Sequence, residues 1–356
     1  MTLTEFALPL ESPLSTAAGS IGERRGLLVE YDHRGERGVG EATPLSGWTE
    51  SLSACREGLE RALEAGRDGD HTAALLELDA DDVPAARHGF ATALLDADAR
   101  ADGDPLYRWF DGSRRCDRVP VNATVGDADR ETTVTVAESA VDAGFDCLKC
   151  KVGARSLDAD LDRIRAVRAA VGDDVTLRLD ANGAWDRETA ARAFDVAESL
   201  DVAYVEQPLP AEDLSGLADL RGGPVGVAVD ETLAEHSMAA VFEADAADVV
   251  VLKPMALGGP GTAHTLAMRA REERVEPVVT TTVDGVVART AAVHVAAAIP
   301  DVAPCGLATA DLLAADLGPD PAPVSDGHAA VPQDPGLGVD PATLDPATLD
   351  PGGSDP

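Results

Sequence analysis

Apolar and polar residues alternate through roughly the first thirty positions and end in Gly26-Leu27-Leu28-Val29-Glu30-Tyr31. That period of two predicts half-buried antiparallel strands. A turn at 32–35 precedes a further strand at Gly38-Val39-Gly40-Glu41-Ala42. Over 52–65, 73–78 and 85–99 the apolar positions instead recur every three or four residues, which predicts helices. The first hundred residues therefore read as a small α+β unit.

From Val119 the grammar changes. Short apolar runs at 119–125, 147–152, 176–180, 203–206, 226–230, 248–253, 277–281 and 303–307 predict strands. Amphipathic stretches such as 158–171, 187–199 and 263–273 lie between them. Eight strands alternating with helices predict an α/β fold, a (β/α)8 or TIM-type barrel. A doubly wound sheet is disfavoured, because no Gly-x-Gly-x-x-Gly follows an early strand. Past Leu317 the chain turns to Pro, Asp and Gly, with a strand at 329–331 returning to the first unit. The expected division is a cap over 1–117 joined by 319–340, a catalytic barrel over 118–318, and a disordered acidic tail over 341–356.

Composition changes the picture in two ways. The net charge is −35, and the seven aspartates after Gly318 account for little of it, so the folded body is itself acidic. Such a surface repels nucleic acid and anionic membranes. Of 29 basic residues only three are lysine: Lys149, Lys151 and Lys253. An acidic surface with arginine in place of lysine suggests a salt-rich cytoplasm, where screening makes self-repulsion tolerable. The five scattered cysteines read as reduced thiols of a cytoplasmic protein. The N-terminus shows no basic-then-apolar leader, and no 18-residue apolar run occurs.

The surviving lysines are the first chemical signal. Lys149 and Lys151 stand at alternate positions of one strand and so face the same space. Unlike arginine, lysine can lose its proton and act as a base. Barrel active sites form where the C-terminal strand ends meet, and three successive strands end in carboxylates: Asp180, Glu206 and Asp230. Converging carboxylates need a cation, and hard oxygen donors suit Mg²⁺, with Mn²⁺ as the alternative. The bland reading, that each acid caps a helix, fits Asp better than Glu206. Lys253 ends the next strand. Neighbouring cations are expected to lower the lysine pKa values and free a neutral amine. Such a site removes a proton next to a carboxylate.

The ordered set Lys-x-Lys, Arg-x-Asp-Ala-Asn-Gly-Ala-Trp, Glu-Gln-Pro, Asp-Glu and Lys-Pro resembles the muconate-lactonising subgroup of the enolase superfamily. That superfamily's lysine base and Mg²⁺ are a standard illustration of pKa tuning. Gly40-Glu41-Ala42-Thr43-Pro44-Leu45-Ser46-Gly47-Trp48 and Pro335-Gly336-Leu337-Gly338-Val339 extend the likeness from about Thr2 to Asp340. The resemblance implies a modified barrel under an α+β capping domain that the C-terminal segment completes. It implies Asp180, Glu206 and Asp230 as metal ligands, Lys151 as the base and Lys253 as stabiliser of the enediolate or opposite-face base. Lys149 would keep Lys151 deprotonated and touch the substrate carboxylate. The loops at 17–22 and 44–50 would close over a small dicarboxylate substrate. The oligomeric state stays open.

Within the subgroup, dipeptide epimerases carry Asp-x-Asp after the eighth strand; here Gly306-Leu307-Ala308-Thr309-Ala310-Asp311 lacks the first of that pair. With Thr280-Thr281-Thr282, the segment resembles the o-succinylbenzoate synthase branch. Racemisation of N-succinylamino acids is the near rival and muconate cycloisomerisation a more distant one. A non-catalytic metal-stabilised binding protein is the alternative outside enzymes. Arg178 and Arg25 are the candidate donors to substrate carboxylates, Arg178 equally a partner that orients Asp180.

Overall fold

The computed structural model describes residues 1–16, 19–67, 69–112 and 115–346. Strands β1 (Thr2–Thr16), β2 (Gly19–His33) and β3 (Glu36–Ala42) form an antiparallel sheet in that order. Helices α1 (Leu52–Ala65), α2 (His71–Leu76), α3 (Pro84–Asp102) and α4 (Leu106–Phe110) complete the cap's secondary structure. Helix α3 lies directly on β3, and glycine permits it. A Cβ at Gly38 would fall 1.9 Å from the Ala93 carbonyl oxygen, and one at Gly40 equally close to that of Gly89.

The barrel follows. Its elements are β4 (Arg118–Pro120), β5 (Ala123–Val125), α5 (Arg130–Asp142), β6 (Cys147–Lys151), α6 (Leu157–Val171), β7 (Thr176–Asp180) and α7 (Arg187–Ser199). Next come β8 (Val202–Glu206), α8 (Leu214–Leu220), β9 (Gly226–Val229), α9 (Thr232–Glu235) and α10 (Met238–Glu243). The series ends with β10 (Val249–Leu252), α11 (Pro260–Glu272), β11 (Glu276–Val279) and α12 (Val286–Ala298). Strands β5 to β11 pair in parallel and in sequence order, a curled seven-stranded sheet.

Two strand expectations need correction. The run 119–125 is split: β5 enters the barrel, whereas β4 pairs with β13 (His328–Ala330) of the C-terminal hairpin, whose other arm is β12 (Val324–Ser325). Pro120, with no N–H to donate, stands at the break. The expected eighth strand, 303–307, is not a ladder strand. Cys305 bridges Val121 and Gly306 bridges Thr280, so the segment closes the ring by single contacts. Pro304 removes a donor just where a ladder would continue.

The C-terminal segment completes the cap by packing. Leu313, Leu317, Leu337 and Val339 share one apolar cluster with Phe6, Leu8, Leu28 and Val39. The segment expected to be a disordered tail starts in a 3-10 turn at Pro341–Thr343, and the Asp345 amide donates to the Leu317 carbonyl at 2.9 Å. Residues 341–346 are thus ordered, and the rest of that segment lies outside the described residues. Four of the five cysteines, Cys55, Cys147, Cys150 and Cys305, are buried free thiols. No helix among the described residues is long and apolar enough to cross a membrane.

Candidate active site

Strand register brings the predicted residues together. Lys151 pairs with Asp180 across β6 and β7, and Asp180 pairs with Glu206 across β7 and β8. Glu206 pairs with Ala228, so Asp230 emerges two residues later, just past the end of β9. Lys253 follows β10 in the same way. One layer below, Lys149 pairs with Arg178 and Arg178 with Tyr204. Side chains alternate along a strand, so Lys149 and Lys151 enter the same interior at different depths.

Ion pairs then knit the site. The Lys149 Nζ donates to Asp180 Oδ2 and Glu206 Oε1, both at 2.9 Å. The Lys151 Nζ donates to Asp180 Oδ2 at 2.7 Å and to Asn182 Oδ1 at 2.8 Å. The Lys253 Nζ lies 2.5 Å from each oxygen of Asp230. Asn182 in turn donates through Nδ2 to Glu231 Oε1 at 2.9 Å, tying two strand ends together.

Burial and charge pull the acids apart. Burial, helped by Asp180 and Asp230, pushes the Glu206 carboxyl up to about 7 despite Lys149. Asp230 is raised as well, by burial and Glu231, against the opposing pull of Lys253. For Asp180 burial acts upward, but Lys149 and Lys151 together hold it below its usual range. Burial would lower Lys149, yet Asp180 and Glu206 hold it well above its ordinary value. Lys149 thus sits among carboxylates, with the Lys151 ammonium on the same Asp180 oxygen.

The donor set fits a hard divalent cation: three buried carboxylates on adjacent strand ends, one of them driven toward protonation by burial and by the other two. Among the described residues no three His, Cys, Asp or Glu side chains already form a metal cluster. The Lys149 ammonium bridges Asp180 and Glu206, and Lys253 pairs with Asp230.

Other residues take places that sequence did not reveal. Arg178 points to neither Asp180 nor the mouth. Its Nη1 donates to the Pro304 carbonyl at 2.5 Å, and its guanidinium lies over Tyr204, 4.8 Å from the ring centroid. Arg25 pairs with Glu5 at 3.1 Å. Of the cap loops, Ala17 and Ala18 lie outside the described residues. The loop after β3 brings the Trp48 indole over Lys253, the Nζ being 3.2 Å from the ring centroid. Gln207, left-handed at φ 40°, accepts from the amides of Asp230 and Thr232 and so braces the next strand end. Its position in Glu-Gln-Pro was the only signal. The Thr281 and Thr309 hydroxyls, from the two segments after the last strand positions, hydrogen-bond each other at 3.0 Å.

Residues 132–344 match the family model described as enolase C-terminal domain-like. The chain belongs to the enolase superfamily. Within it, the muconate-lactonising subgroup holds its relatives. An o-succinylbenzoate synthase from Thermobifida fusca is 40% identical over 211 residues, 58% of this chain and 64% of that enzyme. An N-succinyl Arg/Lys racemase from Bacillus cereus, 26% identical, superposes with a TM-score of 0.86 over 98% of this chain and 95% of the racemase. A dipeptide epimerase from Enterococcus faecalis, solved with Mg and the dipeptide L-Leu-L-Tyr, is 25% identical with a TM-score of 0.83 over 95% and 98%. Superfamily members typically bind Mg²⁺, and three reactions lie at comparable distance.

Proposed function

We propose that the chain is an o-succinylbenzoate synthase, which removes water from 2-succinyl-6-hydroxy-2,4-cyclohexadiene-1-carboxylate to give 2-succinylbenzoate, a step of menaquinone biosynthesis. The observation that carries this reading beyond the superfamily is the Thr281–Thr309 hydroxyl pair, with Asp311 exposed to solvent. A substrate ammonium taken out of water needs a carboxylate opposite it, and hydroxyls offer none. A succinyl carbonyl or carboxylate can instead accept from a hydroxyl. The identity to the Thermobifida fusca enzyme supports the same reading.

Asp180, Glu206 and Asp230 hold Mg²⁺, or Mn²⁺ as the alternative. When bound, the ion supplies positive charge beside the substrate carboxylate, so that the adjacent C–H becomes acidic. Lys151, one-third exposed at the mouth, takes that proton. On the same face it returns the proton to the departing hydroxyl, so C–H and C–O break, water leaves and the ring becomes aromatic. Lys253 stands across the mouth as a fixed ammonium that stabilises the developing negative charge. Lys149 neutralises Asp180 and Glu206 and touches the substrate carboxylate.

N-succinylamino-acid racemisation is the second reading, favoured by the near-complete superposition on the Bacillus cereus racemase. It needs Lys253 as a second base. The acidic, lysine-poor composition supports work in a salt-rich cytoplasm. The deciding experiment follows the diene absorbance of the cyclohexadiene substrate with Mg²⁺ in molar KCl. Rapid loss, absent in Lys151→Arg and in metal-free protein, is expected. A folded protein that turns over only N-succinylamino acids would move the assignment to the racemase.

A further inference from the structure

The strand end that carries Lys151 is held from behind as well as from the site. Strands β5 and β6 pair as far as Val125 and Cys150, where their ladder stops. Beyond that point the buried guanidinium of Arg163, on α6, takes over. Its Nη2 donates to the Gly126 carbonyl at 2.8 Å and its Nη1 to the Lys151 carbonyl at 3.3 Å, one on each chain. Its Nε donates to the Thr133 hydroxyl of α5 at 3.2 Å. Arg163 thus joins the ends of two strands to two helices.

Asp160, one turn earlier on α6, completes the hold. One of its oxygens accepts from Arg163 Nη1 at 2.7 Å, and the other accepts the Gly153 amide at 2.7 Å. Gly153 takes the left-handed conformation, φ 94°, just past the end of β6. Between them the Val152 amide donates to the Asp180 carbonyl at 2.9 Å. Successive backbone groups of 151–153 are therefore tied down, two of them by this pair. The Arg163 and Asp160 side chains are only 3% and 1% exposed. A buried ion pair adds little stability beside well-packed apolar residues, and the proposed chemistry does not use this one.

We infer that Asp160 and Arg163 are positioning residues: the pair fixes the backbone of β6 at Lys151 and so sets where the amine stands. Lysine reaches its target on a flexible four-carbon stem. In front, the Lys151 Nζ is held by Asp180 and Asn182. Asp180 is also a proposed ligand of the cation, so that hold is shared. The hold behind β6 is made through backbone groups and leaves Asp180, Glu206 and Asp230 free for their own role. A misplacement of about 1 Å at a reacting group costs on the order of 10²-fold in rate. This role presupposes that Lys151 is the base, as proposed above.

The deciding variant of the full-length protein combines Asp160→Leu with Arg163→Met. Apolar replacement of a buried ion pair commonly keeps or raises stability, so the variant should melt cooperatively near the unaltered protein. Its kcat for the cyclohexadiene substrate should fall by about 10²-fold, with KM and the Mg²⁺ concentration for half-maximal thermal stabilisation within about twofold. Arg163→Lys keeps the charge but not the fork that reaches both carbonyls and Asp160, so it should not restore kcat. Should the double variant fail to melt cooperatively, Asp160→Asn serves in its place, with a kcat loss of about tenfold. The second readout is hydrogen exchange in the metal-free protein. The peptide covering 150–154 should exchange about tenfold faster in the double variant, while that covering 176–179 should not change. A folded variant with the unaltered kcat would overturn the inference, as would unchanged exchange at 150–154. A fall in kcat matched by equally weakened Mg²⁺ binding would also overturn it, because the pair would then be holding the whole site. If the unaltered protein neither dehydrates nor racemises its substrates, the reading of the reaction fails, and exchange at 150–154 alone decides the hold on β6.

Discussion

Glu41, near the end of the last cap strand, caps a helix of the barrel: its carboxylate accepts the amide of Gly285 at 2.7 Å and, through the other oxygen, that of Ala288 at 2.9 Å. The start of α12 is thus held by a residue 244 positions earlier, just after the loop that carries Thr281 and Thr282. A carboxylate at a helix N-terminus is favourable, but this one is fully buried. Burial first, and Asp284 next, push it up to about 7.

A pH dependence of stability follows. Glu41 holds its proton more tightly folded than unfolded, so its contribution is complete below its ordinary value near 4.5 and is lost as pH rises through about 7. Integrated over that window the loss is roughly 3 kcal/mol. Denaturant titrations of Mg²⁺-loaded protein between pH 5 and 8 should show the decline, and Glu41→Gln should flatten it. Equal slopes in the two proteins would refute the assignment.

The sequence carried the fold class and the convergence of the candidate site residues. Asp180, Glu206, Asp230 and the lysines were legible because charge at the end of an apolar run has few structural excuses. Lys151, Asp180 and Glu206 are strand-register neighbours, and each is named by its own strand. Arg178 was not legible. Two residues from a predicted ligand it points into the same interior, but one layer down, against Tyr204 and Pro304. The partner of Trp48 was hidden for another reason: 205 positions separate it from Lys253, and only the docking of cap on barrel joins them. The closing segment 303–307 had the apolar character of a strand, yet Pro304 reduces it to single bridges.

Lys151→Arg tests the base. Arginine keeps the positive charge beside Asp180 and Asn182 but does not deprotonate near neutral pH. Turnover should fall by about 10³-fold, within the usual range for general-base loss, while the Mg²⁺-induced rise in melting temperature should persist. A chain that merely binds its ligand would keep its affinity and show no turnover to lose; isothermal titration with the product separates the cases.

The acidic body makes a salt prediction. At molar ionic strength charges are screened within about 3 Å, which relieves the self-repulsion of a chain carrying −35. Melting temperature at constant Mg²⁺ should rise by about 5 °C or more between 0.1 and 2 M KCl. A flat or falling curve would remove the salt-adapted reading and leave the catalytic one untouched.

Lys149 couples the charge balance of the site to metal binding. Its ammonium bridges Asp180 and Glu206, and only 15% of its side chain is exposed. In Lys149→Met two buried carboxylates face each other with that bridge gone, and Glu206 is the one already driven toward protonation. Breaking a buried pair by removing one partner costs about 3–5 kcal/mol, so the metal-free variant should melt well below the unaltered protein. A divalent cation bound by the same carboxylates restores the missing positive charge. Mg²⁺ should therefore raise the melting temperature of Lys149→Met more than that of the unaltered protein, and chelation should reverse the gain. Calorimetric scans of both proteins with Mg²⁺ and with chelator provide the comparison. Equal shifts would mean that the cation binds away from Asp180 and Glu206, and would remove these carboxylates from the proposed ligand set.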